Sequence, residues 1–113
     1  MKTAQSAYFA RMRDIALEQL LAELRALKPE FEREGVAHLS LFGSRARGDQ
    51  RPDSDVDLIV DVAKGRKFSM LDAIGVEHIV EDNLGLQTGV VVLDDYTDSR
   101  FAAAVQKDRV AVF

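Results

Sequence analysis

The segment Asp55-Val-Asp-Leu-Ile-Val-Asp-Val62 constrains the fold of this chain more than any other. Val56, Leu58, Val60 and Val62 alternate with Asp55, Asp57, Ile59 and Asp61. Alternate residues of a strand share a face, so this is a strand with one aliphatic side and one acidic side. Asp55 and Asp57 then project together, roughly 6.5 to 7 Å apart along the backbone. Two carboxylates that close repel each other unless something positive lies between them.

The rest of the chain supplies a sheet around that strand. Leu17, Leu20, Leu21, Leu24, Leu27 and Phe31 recur at intervals that predict an amphipathic helix from about Ala7 to Glu34, kinked or restarted at Pro29 and ended by Gly35. Val36 to Phe42 reads as a strand with Ala37, Leu39 and Leu41 on one face. After the basic loop Ala63 to Phe68, Ser69 and Asp72 have the spacing of a capping box. They open a helix from Met70 to about Leu84, with Ala73, Val76, Val80 and Leu84 on its core stripe and Gly85 as its stop. Leu86 to Leu93 is a third strand interrupted by Gly89, Phe101 to Lys107 a short helix, and Arg109 to Phe113 an edge strand.

Gly43 and Ser44 end the first of these strands, with ten residues between Ser44 and Asp55. Glycine at such a turn lets backbone N–H groups approach an anion, the start of the next helix favours negative charge, and a serine hydroxyl adds a donor. Arg45 and Arg47 in the same turn can neutralise phosphate charge. Oxygen-only ligands suit Mg²⁺, which takes one or two carboxylates and completes its shell with phosphate oxygens and water. The expected site therefore joins a phosphate turn (Gly43, Ser44, Arg45, Arg47) to a metal pair (Asp55, Asp57), with Mg²⁺ and a nucleoside triphosphate as its ligands.

The same spacing sets topology. For Gly43–Ser44 and Asp55 to face one site, the first two strands must be antiparallel, and the helical crossover then makes strands two and three parallel. The expected fold class is α+β, a two-layer arrangement in which a mixed sheet of three to four strands packs against helices.

The stretch from Leu41 to Val62 resembles the minimal nucleotidyltransferases of the DNA polymerase beta superfamily, in particular the antitoxins paired with HEPN-domain toxins. The resemblance extends through the helix and strand at Phe68 to Tyr96 and covers about residues 15 to 113. It implies a palm-like nucleotidyltransferase fold, Ser44 against triphosphate, and Asp55 and Asp57 on Mg²⁺. It also implies transfer of a nucleotide, ATP being the expected donor, to an acceptor such as a tyrosine of the partner toxin.

One departure stands out. Members of this family carry a third carboxylate on the strand beside the acid pair, in a Val-Asp-Leu-Val type sequence. On that pattern Thr88 and Gly89 stand where valine and aspartate would, so the acid that helps hold metal and acts on the attacking hydroxyl is missing. Asp94 is roughly 16 Å beyond Gly89 on an extended strand and of opposite parity, and Asp61 is about 13 Å beyond Asp57. Neither reaches the pair without a bulge, for which Gly89 is a plausible position.

Composition narrows the alternatives. A chain of 113 residues, 47% hydrophobic and 30% charged, has the balance of a single domain, residues 1–113, with a helical segment 1–34 and a catalytic-core-like part 36–113. It has no cysteine, so disulfides and thiolate metal sites are ruled out. No signal peptide or bilayer-spanning run is present, which makes a cytoplasmic location the expectation. Residues 48–113 carry seven basic and thirteen acidic groups, a poor surface for direct nucleic-acid binding. His38 and His78 have no metal-ligand spacing and read as structural or exposed, and Arg66 and Lys67 as part of a solvated loop.

Two functions remain in play. One is a partner-directed nucleotidyltransferase; the other is a weak or inactive antitoxin that neutralises a HEPN-type toxin by covering it. A drug-modifying nucleotidyltransferase is a third, and it would need an added domain or a dimer to form an acceptor pocket. Self-association is left open.

Overall fold

The computed structural model describes residues 13–93 and 97–113. Its elements run α1 (Leu17–Ala26), α2 (Lys28–Arg33), β1 (Val36–Phe42), α3 (Ser44–Arg47), β2 (Val56–Val62), α4 (Met70–Leu84), β3 (Thr88–Leu93), α5 (Ser99–Gln106) and β4 (Val110–Ala111). The four strands form one mixed sheet in the order β3-β2-β1-β4. β1 pairs antiparallel with β2, β2 parallel with β3, and β4 antiparallel with β1. The antiparallel and parallel pairings expected from the turn spacing and the crossover are both present, and Val110–Ala111 forms the expected edge strand.

The single helix expected from Ala7 to Glu34 is two helices preceded by extended chain. Residues 7–12 lie outside the described residues. Arg13 to Ala16 are not helical: the Arg13 N–H donates to Pro52 O at 2.9 Å, and Ala16 holds an extended conformation as the N-cap of α1. The break between α1 and α2 falls at Leu27, whose N–H closes a tight turn on Leu24 O at 3.0 Å. Pro29 sits in the first turn of α2, where a missing N–H removes no helical bond.

Leu20, Leu21, Leu24 and Phe31 of this pair, Val76, Val80 and Leu84 of α4, and Val36, Leu39, Leu41, Val56, Leu58 and Val60 of the sheet form one buried cluster. Fully burying a Val, Leu or Phe side chain is worth about 1.5–3 kcal/mol, so this layer dominates the stability of the fold. α4 packs on β3 and α2 on β1, which puts these helices on the aliphatic face of β2 and leaves the acidic face for the site. α4 begins with the expected capping box, Ser69 N–H donating to Asp72 Oδ2 at 2.8 Å, and ends at Gly85 in the left-handed conformation.

β1 departs from simple alternation. Its register shifts between Val36 and His38, leaving Ala37 exposed instead of sharing the face of Leu39 and Leu41. The extra residue of this bulge reverses the side-chain parity, so Val36 joins Leu39 and Leu41 in the core.

Candidate nucleotide and metal site

Asp57 lies at the centre of the site. It pairs with Phe42 of β1 on one side and Gly89 of β3 on the other, and Asp55 immediately precedes β2. Asp57 is partly buried and Asp55 exposed. Burial, and then the charge of Asp55, push the Asp57 carboxyl above its ordinary value, while Arg47 pulls it the other way.

Gly43 follows Phe42 and turns the chain towards Asp57. Its φ of 76° lies in the region that favours glycine. A Cβ built there would collide with Asp57 Oδ2 and stand 3.3 Å from its Cγ. Glycine is needed here twice over, for backbone conformation and for carboxylate clearance. Ser44 then begins α3, and the Ala46 and Arg47 N–H groups both donate to Gly43 O at 3.1 Å. The N–H groups of Ser44 and Arg45 precede the first helical bond, so they and the Ser44 hydroxyl can serve an anion.

The two arginines of this turn have separate environments. Arg47 is exposed beside the acid pair, with Asp49 at 3.1 Å and Asp108 at 3.4 Å as ion-pair partners. Arg45, expected with it at the phosphate position, points inward and is 1% exposed. Its Nε donates to Ser54 O at 3.0 Å and its Nη2 to Arg13 O at 3.2 Å and Pro52 O at 3.3 Å. Burial, then the neighbouring Arg13 charge, lower the Arg45 pKa. This guanidinium ties the segment before α1 to the loop before β2: it supplies the donor for Ser54 O and Arg13 O and a second donor for Pro52 O, which already accepts from the Arg13 N–H.

On the far side of Asp57, Gly89 occupies the register position where the third acid was expected. A Cβ on Gly89 would meet Asp57 Oδ1 at 3.6 Å, ordinary contact, so the position has room for a side chain and carries none. Asp61 does not compensate. It pairs with Arg109, whose Nε also donates to Ser40 Oγ at 2.7 Å. That pairing had no signal in the sequence, since Arg109 and Asp61 are 48 residues apart. Asp94 lies outside the described residues. Among the described residues, no three His, Asp or Glu side chains converge as a metal centre. Two adjacent carboxylates whose mutual repulsion a cation would relieve still fit a hard ion such as Mg²⁺ that takes its remaining ligands from phosphate and water.

His38 and His78 are exposed, and no described helix is long and apolar enough to cross a membrane.

Comparison with known proteins agrees with this fold. The family model of the nucleotidyltransferase domain matches residues 17–112. The protein adenylyltransferase MntA of Thermococcus cleftensis is 39% identical over 79 residues, covering 69% of this chain and 78% of that protein. A solved structure provisionally assigned as a minimal nucleotidyltransferase superposes with a TM-score of 0.70 at 31% identity, over 86% of this chain and 96% of that one. A toxin-antitoxin structure with AMP-PNP shares the fold, with a TM-score of 0.63 at 16% identity over 79% of this chain and 72% of that one. Matched by that family model over residues 17–112, the chain belongs to the nucleotidyltransferase domain family.

Proposed function

We propose that this protein binds a Mg²⁺-nucleoside triphosphate, ATP by analogy with its adenylyltransferase relatives, and transfers the nucleoside monophosphate to a hydroxyl of a partner protein. In this reading it is the antitoxin of a HEPN-type toxin. The supporting observation is the close approach of Gly43 to Asp57, which sets a phosphate turn directly against a metal-binding carboxylate.

Ser44 and the first N–H groups of α3 hold the phosphates, and Arg47, exposed beside Asp57, offsets their charge. Arg45 serves the loop instead. Asp55 and Asp57 are the residues that would hold Mg²⁺, which when bound screens the phosphate charge and polarises the phosphorus under attack. The acceptor oxygen attacks the α-phosphorus, the bond to the β-phosphate oxygen breaks and pyrophosphate leaves. With glycine at position 89, the acceptor proton passes to solvent instead of to a carboxylate, and transfer is slow. The test is to incubate the protein with Mg²⁺, each labelled triphosphate and its co-encoded partner, then locate label by mass spectrometry. Labelling that disappears in Asp57→Asn supports transfer.

A second reading is favoured by Gly89 itself: an antitoxin that binds nucleotide but neutralises by covering its partner. No labelling, with inhibition of the partner intact in Asp57→Asn, would establish this reading and overturn the first.

A further inference from the structure

Helix α4 has a second apolar face that its own fold does not use. Val76, Val80 and Leu84 are buried, yet Met70 and Leu71 are 79% and 78% exposed and Ile74 is 37% exposed. At 100° per residue, Met70, Leu71, Ile74, His78 and Glu81 fall in one sector of about 100°, directed away from the core stripe, with the Glu81 carboxylate accepting from the Thr88 N–H at 3.2 Å at its C-terminal end. Large apolar side chains left exposed side by side mark an interaction surface.

The charges flanking this face indicate what covers it. At its N-terminal end, Lys64, Arg66 and Lys67 are exposed, and at its C-terminal end so is Asp82. The side chains of Lys64, Lys67 and Asp82 make no hydrogen bond or ion pair among the described residues. Asp72, the acid within the apolar stretch, is turned back into its capping box. The order along the face is therefore basic, apolar, acidic. An isologous two-fold contact pairs each end of a face with the opposite end of the same face on the other copy. Two α4 helices packed antiparallel, with the axis at Ile74 and Gly75, bring Lys67 of each copy to Asp82 of the other and Leu71 to His78.

We propose that α4 is the self-association surface of this protein, forming an antiparallel two-fold dimer through Met70, Leu71 and Ile74 with Lys67–Asp82 pairs at both ends. A single helix face is a small interface, so the dimer is concentration-dependent.

Sedimentation equilibrium of the full chain over about 5 to 500 µM tests this. The expected weight-average mass rises from the 12.6 kDa monomer towards twice that value. Leu71→Glu should weaken dimerisation about tenfold or more. Lys67→Glu and Asp82→Lys should each weaken it, because like charges then face each other at both ends, while an equimolar mixture of the two should associate more tightly than either alone. All three sites are exposed, and unchanged thermal unfolding of the variants shows that the fold is kept. A chain that stays at monomer mass throughout, a dimer indifferent to Leu71→Glu, or single variants that fail to prefer each other overturns the proposal. Monomeric behaviour combined with loss of co-encoded partner binding in Leu71→Glu assigns the face to that partner instead.

Discussion

Asp57 and Gly89 are neighbours across the parallel β2–β3 ladder, and a Cβ at Gly89 would come within 3.6 Å of Asp57 Oδ1. The position at which a third acid would act is thus open, adjacent and unstrained, with no left-handed backbone to resist a side chain.

Gly89→Asp should raise the rate of partner labelling by about 100-fold, the lower end of what a positioned acid–base group contributes. The added carboxylate also increases the repulsion around Asp57, so the variant should unfold at a lower temperature than the parent in EDTA and recover in excess Mg²⁺. Thermal unfolding with and without Mg²⁺ reads the second effect independently of turnover. An unchanged labelling rate would mean that the missing acid is not what limits transfer.

Gly43→Ala should lose about 1–3 kcal/mol of stability, from the positive φ and from the collision with Asp57 Oδ2. Gly48→Ala is the control: its φ is 83°, but no atom lies within 4 Å of the added methyl. It should show only the conformational part, about 1–2 kcal/mol, and keep nucleotide affinity, whereas Gly43→Ala should lose both. Urea unfolding and calorimetric titration of AMP-PNP separate the two.

The Asp57 carboxyl is held above its ordinary value of 3.8 by burial and then by Asp55. The folded state therefore binds this proton more tightly than the unfolded chain does. Its contribution to stability is complete below pH 3.8 and is lost as pH rises through the higher, folded-state pKa. Asp57→Asn removes that loss. The variant should be more stable than the parent at pH 7 without divalent cation, and the difference should shrink as pH falls towards 4. Mg²⁺ should stabilise the parent more than the variant. Chemical denaturation across pH 4 to 7 checks the sign.

How much of this the residues alone reveal depends on how local the cause is. The alternation of Val56 to Val62, the Ser69–Asp72 box and the turn-to-strand spacing are short-range, and each led to the observed element or pairing. The Ala37 bulge was hidden because strand parity depends on the partner strand's register. The extended Arg13 to Ala16 was hidden because its bond goes to Pro52, 39 positions away. At the site, Gly43 and Asp57 come together as the spacing implied and Gly89 lies beside Asp57 as the family resemblance implied, but Arg45 and Arg47 cannot be told apart by sequence. What separates them is where the carbonyls of residues 13, 52 and 54, which the Arg45 guanidinium reaches, lie.

That separation gives the sharpest contrast between two neighbouring arginines. Arg45→Ala removes a buried side chain, leaves Arg13 O and Ser54 O without their guanidinium donor and Pro52 O with the Arg13 N–H alone, and should cost about 2–3 kcal/mol of stability. Arg47→Ala removes only exposed ion pairs and should change stability by less than about 1 kcal/mol. Its effect should fall on ligand binding, weakening AMP-PNP by about tenfold through the loss of a phosphate-facing charge. Arg47→Lys keeps the charge and should recover part of that affinity, whereas Arg45→Lys cannot span three carbonyls and should remain destabilised. Denaturation midpoints and AMP-PNP titrations on the four variants decide the assignment. If Arg45→Ala unfolds like the parent and loses nucleotide, then this side chain, and not Arg47, faces the phosphates.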